Sequence, residues 1–293
     1  MAYPSEIRIL ILGASGMLGS AAYRGLSAEQ EVLAFGTIRS EAARKYFPDK
    51  LQPNLISGVD ILDYDALITL FEVVRPDVVV NCVGIIKQLA AAKDPLVALP
   101  LNAMLPHRLA RMAALAGARL VHVSTDCVFR GTVGNYTEAM VPDTDDLYGR
   151  SKLLGEVDYP NAVTLRTSII GREFGSKNGL VEWFLASHGR VTGYTQAIFS
   201  GLPVNELVRV IARHVLPRSD LVGVWHVSAD PICKHDLLVL LRQAYRHDIE
   251  IVPFDEPRID RSLDSSRFRK ATGYVPPDWA TLIDSMRASE NLA

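Results

Sequence analysis

Along the first 170 residues, short runs of apolar and β-branched residues alternate with segments whose apolar positions recur every three or four residues. The opening run Ile7-Arg8-Ile9-Leu10-Ile11-Leu12 predicts a strand covered on both faces, because a half-exposed strand would alternate polar and apolar positions. Further strands are predicted at 31–35, 55–56, 77–83, 120–124 and 162–166, with helices at 20–26, 65–74, 101–116 and 148–157. Within 101–116, Leu101, Leu105, Leu109, Met112 and Ala116 share one helical face, and Gly117 follows as a stop. Strand and helix in alternation predict an α/β fold, a doubly wound parallel sheet with helices on both faces. From Gly171 the rhythm loosens. Glycines and aromatic residues (Phe174, Trp183, Phe184, Tyr194, Phe199) run to Gly201 without a period, before a helix at 205–215, a strand at 222–227, a helix at 234–245 and a short strand at 250–252. The expectation is a sheet-forming domain over 1–171 and a smaller lobe over 172–293, with some later elements returning to the sheet.

The first strand runs into Gly13-Ala14-Ser15-Gly16-Met17-Leu18-Gly19, which opens a helix. A turn without side chains lets backbone N–H groups and the positive helix terminus approach a pyrophosphate, so this context makes the domain a candidate Rossmann-type dinucleotide site. An ordinary strand-to-helix turn is the plainer alternative. The second strand ends in Phe35-Gly36-Thr37-Ile38-Arg39-Ser40, with no carboxylate for a ribose 2′-hydroxyl. Thr37 and the guanidinium of Arg39 suit a 2′-phosphate, so NADP(H) is preferred and NAD(H) stays open; Arg39 as a solvated loop residue is the alternative.

Tyr148 and Lys152 stand four residues apart on one helix face. A cation near a phenol favours the phenolate, so the pair could exchange a proton with a carbonyl or alcohol oxygen. The strand 120–124 runs into Ser124-Thr125-Asp126, and the carboxyl ends of strands face the ligand crevice in such a sheet. That places Thr125 beside the oxygen Tyr148 would serve.

Composition narrows the partners. Hydrophobic residues make up 48% and charged residues 22%, enough for a large core, and the formal net charge is −2. A balance so even argues against nucleic acid or a membrane surface as partner. The three cysteines, Cys82, Cys127 and Cys233, form no CxxC pair and suit a reducing compartment. With no export-signal pattern and no apolar stretch near the roughly 20 residues a bilayer requires, a cytoplasmic protein is expected. The histidines show no metal-ligand spacing, so no metal is expected. Gly175-Ser176-Lys177-Asn178-Gly179 reads as a mobile loop that could cover the nucleotide.

Taken in order and spacing, Gly13-x-x-Gly16-x-x-Gly19, Asp60, Asn81-Cys82-Val83-Gly84, Asn102, Ser124-Thr125-Asp126-Cys127-Val128-Phe129, Tyr148-x-x-x-Lys152-Leu153-x-Gly155-Glu156 and Leu165-Arg166-Thr167-Ser168 resemble the extended short-chain dehydrogenase/reductase superfamily. Within it the chain most resembles the dTDP-4-dehydrorhamnose reductase-like family of nucleotide-sugar reductases. Residues 261–268 are similar to that family's late substrate-side segment.

The resemblance implies an NADPH-dependent oxidoreductase acting on a nucleotide-activated keto-sugar of the 4-keto-6-deoxy hexose type, in polysaccharide biosynthesis. Thr125, Tyr148 and Lys152 would be its catalytic residues. Gly13, Ser15, Gly16, Met17, Leu18, Gly19, Thr37, Arg39, Asp60, Ile61, Cys82, Val83, Gly84, Asn102 and Ser124 would join Tyr148 and Lys152 around the cofactor. Asp126, Cys127, Val128, Arg166, Trp183 and Arg261 would meet substrate. Cys127 departs from the family's Ser-Thr-Asp-Tyr-Val-Phe run but leaves the catalytic set intact. The 4,6-dehydratases of the superfamily carry Thr-Asp-Glu where this chain has Asp126 followed by Cys127, which favours a reductase. An epimerase or epimerase-reductase uses the same Tyr and Lys and stays open. So does a non-catalytic regulatory subunit that binds the dinucleotide, as a relative in this family does for methionine adenosyltransferase. A homodimer is left open.

Overall fold

The computed structural model describes residues 6–174 and 178–290. Residues 175–177, the first three of the loop expected at 175–179, lie outside the described residues. Seven strands, β1 (Ile7–Leu12), β2 (Val32–Ile38), β3 (Leu55–Ser57), β4 (Val78–Asn81), β5 (Arg119–Thr125), β6 (Ala162–Thr167) and β7 (Gly223–His226), form one parallel sheet in the order β7-β6-β5-β4-β1-β2-β3. The helices are α1 (Met17–Ser27), α2 (Tyr64–Val74), α3 (Leu105–Leu115), α4 (Leu147–Leu154), α5 (Leu180–Ala186), α6 (Val204–Val210), α7 (Lys234–Tyr245), α8 (Ser266–Thr272) and α9 (Trp279–Glu290).

The alternation along β1 shows why its whole run is apolar. Ile9 and Ile11 pack with Leu18, Ala22 and Leu26 of α1 and Leu207 of α6. Leu10 and Leu12 face the other way, onto Leu67 and Phe71 of α2 and Leu105 and Leu109 of α3. All four β1 side chains are fully buried, and each such Leu or Ile contributes about 1.5–3 kcal/mol of burial.

Strand order reverses between β1 and β4, whose ends align with Leu12 opposite Asn81. A crevice opens at such a reversal, outside the carboxyl ends of the strands. Thr125 closes β5 at the same level, opposite Thr167 of β6.

Several boundaries moved. β2 continues to Ile38, so Thr37 belongs to the strand rather than to the loop after it. The helix expected at 101–116 begins with a single turn, Pro95–Ala98, and a widened π-helical turn, Leu99–Met104, before α3 starts. Pro100 inside that turn has no N–H to donate. The helix expected at 205–215 likewise ends in a π-helical turn, Ile211–Val215. α4 stops at Leu154, and the Gly155 that follows is pressed against the turn before α3: a Cβ there would lie 1.9 Å from the Asn102 backbone carbonyl oxygen.

β7 lies past residue 171 in sequence yet pairs with β6 at the sheet's edge. Beyond the sheet, Ala197–Phe199 pairs with Ile232–Cys233 and Ile259–Asp260, and Arg190–Tyr194 pairs with Glu250–Phe254. These short strands build the far wall of the crevice. Helices α8 and α9 were not read from the sequence. Among the described residues, no helix is long and apolar enough to cross a membrane.

Substituting Gly155→Ala drives a methyl into backbone that has nowhere to go. The expected cost is roughly 1–3 kcal/mol, read as a lower urea midpoint with unchanged slope.

Candidate functional site

The crevice at the reversal is a cleft of about 1330 Å³ that runs from the glycine turn past β5 to the far lobe. At its nucleotide end, Gly13 adopts φ +81°, a left-handed conformation that lets the chain leave β1 and turn at once into α1. Gly19 lies so close to this turn that a Cβ would sit 2.0 Å from the Gly13 carbonyl oxygen. Gly16 is the N-cap of α1 and supplies no capping side chain, so the first N–H groups of the helix open onto the cleft beside Ser15, Met17 and Leu18. The Thr37 hydroxyl accepts a hydrogen bond from Gly13 N at 2.9 Å and its carbonyl accepts one from Ala14 N at 2.7 Å, so Thr37 braces the turn. Arg39 stands exposed on the cleft rim and makes no ion pair among the described residues. Asp60 and Ile61 line the same end, where the Asp60 carboxylate accepts from Leu62 N at 2.9 Å.

The loop after β4 is held from beneath. The Asn81 side-chain oxygen Oδ1 accepts from Val83 N at 3.0 Å. Asn102 is 1% exposed; its side-chain Oδ1 accepts from Ile85 N at 2.9 Å and its Nδ2 donates to Ser151 Oγ at 3.1 Å. Asn102 therefore clamps this loop to α4 from behind, while Cys82, Val83 and Gly84 line the cleft. Burial pushes the Cys82 thiol up to about 12, and Lys152 pulls against that shift.

Helix α4 begins at Asp146, whose carboxylate accepts from Gly149 N at 2.7 Å and from Lys87 Nζ at 2.6 Å. The helix presents Tyr148 and Lys152 to the end of β5, and both line the cleft with Thr125. Lys152 Nζ donates to the Val123 carbonyl at 2.8 Å and is 6% exposed. Burial lowers Lys152 to about 8, with Glu156 and then Cys82 opposing that fall. Burial also pushes the Tyr148 phenol well above 10; Cys127 adds to this and a hydrogen bond with Thr125 opposes it. Tyr148 is therefore a neutral phenol at ordinary pH. Thr125 Oγ1 accepts from Cys127 N at 3.1 Å, capping the short turn Asp126–Val128.

On the far side, Asp126 is buried at 7% exposure, and burial raises its carboxyl while Arg261 pulls it down. Cys127 is pushed up to about 12, by burial first and then by Asp126, so it is a neutral thiol rather than a nucleophile. Arg261 lines this wall, its Nε donating to the Phe129 carbonyl at 2.8 Å.

Three residues expected at the substrate do not line the cleft. Val128 is fully buried with Phe129, Tyr136 and Leu263. Arg166 lies behind β5 in a buried ion pair with Glu156. Trp183, 42% exposed on α5, is off the cleft wall, which Leu180 of the same helix reaches instead. Ser124 lines the cleft, but its hydroxyl donates to Glu156 Oε1 at 2.7 Å.

The sequence reading missed Lys234. It opens α7, lines the cleft beside Arg261, and is influenced by Asp126 and Arg261 after burial has lowered it. Nothing in its local pattern marks it, because only the packing of the two lobes brings it there. Among the described residues, donor atoms of Cys233, His235 and Asp236 lie within 4.8 Å of one another; Cys233 Sγ accepts from Asp236 N as the helix cap, and His235 pairs with Asp236.

The parallel sheet reversing at a glycine turn, with a threonine, a tyrosine and a lysine converging over its carboxyl edge, is the architecture of the extended short-chain dehydrogenase/reductases. The family model described as "RmlD substrate binding domain" matches residues 7–289, and the chain belongs to that family. It is 24% identical over 308 residues to a dTDP-4-dehydrorhamnose reductase of Aggregatibacter actinomycetemcomitans, covering 96% of this chain and 98% of that protein. It is 34% identical over 150 residues to methionine adenosyltransferase 2 subunit beta of Xenopus tropicalis, a match spanning 51% of this chain and 41% of that relative's length. Among solved structures, the dTDP-4-dehydrorhamnose reductase of Bacillus anthracis in complex with NADP superposes with a TM-score of 0.78 at 21% identity, covering 97% of this chain and 99% of that one.

The depressed Lys152 ammonium has a consequence for stability. The unfolded chain holds that proton up to the ordinary lysine value of 10.5, the folded chain only to about 8. Burying the charge therefore costs most below pH 8, and the cost fades as pH rises from 8 to 10.5. The unfolding free energy of the wild type minus that of Lys152→Met should grow more favourable to the wild type across that window. A difference that is flat or falls with pH contradicts the assignment.

Proposed function

We propose that the protein is an NADPH-dependent reductase of a nucleotide-activated keto-sugar of the 4-keto-6-deoxy hexose type. The observation that carries this reading is that Thr125, Tyr148 and Lys152 share one cleft with the uncapped N-terminus of α1. The residues present suit the dinucleotide: a Cβ-free turn and open helix N–H groups for a pyrophosphate, and an unpaired Arg39 at the rim for a 2′-phosphate. Asp60 and Ile61 would border the adenine, and residues 82–84 would run alongside the cofactor. Lys152 would hold the ribose next to the reacting ring.

When bound, NADPH supplies a hydride to the ketone carbon. The chain's own part is proton and charge management. Tyr148, kept neutral by burial, gives its proton to the oxygen that becomes an alkoxide, and Thr125 hydrogen-bonds the same oxygen. Lys152 places a positive charge beside them, anchored on the Val123 carbonyl. Asp126 and Cys127 border the sugar. Arg261 and Lys234 put two cations on the wall opposite, suited to a diphosphate. An epimerase would use the same Tyr and Lys, but would return an alcohol from an alcohol without net NADPH consumption.

A dinucleotide-binding regulatory subunit is the second reading, favoured by the likeness to methionine adenosyltransferase 2 subunit beta. It leaves unexplained why all three reactive side chains line the cleft together. Stoichiometric capture of a partner, with no turnover on any keto-sugar, would favour it over the reductase.

Two measurements test the reductase directly. Purified protein with NADPH and a panel of nucleotide-linked keto-sugars should consume the cofactor, and Tyr148→Phe should lose roughly 10²–10⁴-fold in kcat while still binding NADPH. Removing the rim guanidinium in Arg39→Ala should weaken NADPH binding by about tenfold or more and leave NADH binding near its original value. Equal losses for both cofactors would remove Arg39 from the 2′-phosphate site.

A further inference from the structure

Behind the catalytic wall lies a chain of buried polar groups that the proposed reaction does not use. Glu156 follows α4, and its carboxylate takes two bonds from Arg166 of β6: Nε to Oε1 at 2.9 Å and Nη2 to Oε2 at 2.5 Å. The two side chains are 6% and 5% exposed. Ser124 Oγ donates to the same Oε1 at 2.7 Å. Arg166 Nη1 donates to His226 Nε2 at 2.9 Å, which places the ring proton on Nδ1, the donor to the Tyr136 carbonyl at 2.9 Å. His226 is lowered to about 4 by burial and then by Arg166, so the ring is neutral. The guanidinium also lies 5.1 Å over the Phe129 ring.

Such a pair is an expensive way to fill a core. Desolvation consumes most of the Coulombic gain, and apolar residues of the same volume commonly serve stability as well. Its placement points to another use. Ser124, which holds Glu156, directly follows Val123, whose carbonyl holds Lys152. Glu156 stands just past the end of α4, so the adjacent residues Val123 and Ser124 of β5 tie Lys152 and Glu156 to one strand end.

The groups around Lys152 are Tyr148 on its own helix, Cys82 after β4, His122 on β5, and Glu156, which is paired with Arg166 of β6. Tyr148 and Cys82 are protonated and neutral because burial pushes both up. His122 is held far below its usual value by burial and then by Lys152 itself, so it is neutral too. Glu156 is thus the anion acting on this ammonium.

We infer that Glu156 is a positioning residue that keeps the charge on Lys152, and that Ser124, Arg166 and His226 hold it where it does so. The inference rests on the reading of Lys152 as the cation beside the cofactor, but its first test needs no turnover. The 13Cε resonance of Lys152, identified by its loss in Lys152→Met, is followed against pH. In the wild type it titrates near pH 8. In Glu156→Gln the midpoint falls by roughly one unit or more, and in Glu156→Asp it stays near the wild-type position.

The alkaline limb of kcat/KM moves down with the resonance, so Glu156→Gln loses far more activity at pH 8.5 than at pH 6.5. Should the stranded Arg166 prevent folding, the double variant Glu156→Gln/Arg166→Met removes both charges and still lowers the midpoint, by less, because the lost guanidinium offsets part of the lost carboxylate. An unmoved Lys152 midpoint in either folded variant overturns the inference. Wild-type protein that titrates as described but turns over no keto-sugar overturns the proposed function and leaves this result standing.

Discussion

The bond from Lys152 to the Val123 carbonyl joins the two halves of the site. It draws a helix that begins at the cleft rim down onto the end of β5, and it does so with a charge taken almost wholly out of water. The cost of that burial organises much of what surrounds it. The Val123 carbonyl accepts from the ammonium, the charge of Glu156 opposes its loss, the neighbouring thiol and phenol keep their protons, and the nearby imidazole stays neutral. A solvated lysine would need none of this.

The nucleotide half obeys a second constraint, close approach of backbone. Gly13 and Gly19 let a turn and a helix touch where side chains would separate them, and Thr37 holds the turn from the adjacent strand. A residue read from sequence as a ligand for the 2′-phosphate is also a structural brace, and the two uses are compatible because a hydroxyl can accept one bond and donate another. Arg39 stands exposed beside it on the cleft rim.

The sheet and most of the cleft were legible because their signals are local. Doubly buried strands are uniformly apolar, the glycine turn sits between one such strand and a helix, and Tyr148 and Lys152 are one helical turn apart. What escaped was produced by contact between distant segments. Lys234 reaches the cleft because α7 packs on the short strands at 190–194 and 250–254 of the far lobe. Arg166 sits on a strand end that could have faced the crevice, but the carboxylate of Glu156 captured it behind the wall. The π-helical turn at Leu99–Met104 has no periodic signature beyond Pro100, yet it sets Asn102 against Gly155 and the loop after β4.

The position of β7 bears on how the chain can fold. The strand at the sheet's outer edge is supplied by residues 223–226, after the polypeptide has already left to build part of the other lobe. A chain ending at residue 171 would leave β6 as a bare edge, with a row of unsatisfied backbone groups ready to recruit a neighbouring molecule. The nucleotide sheet is therefore finished late, from the C-terminal side. The edge of the first lobe's sheet is thus covered by the second lobe's chain, and the backbone groups of β6 stay paired only in the protein that carries both.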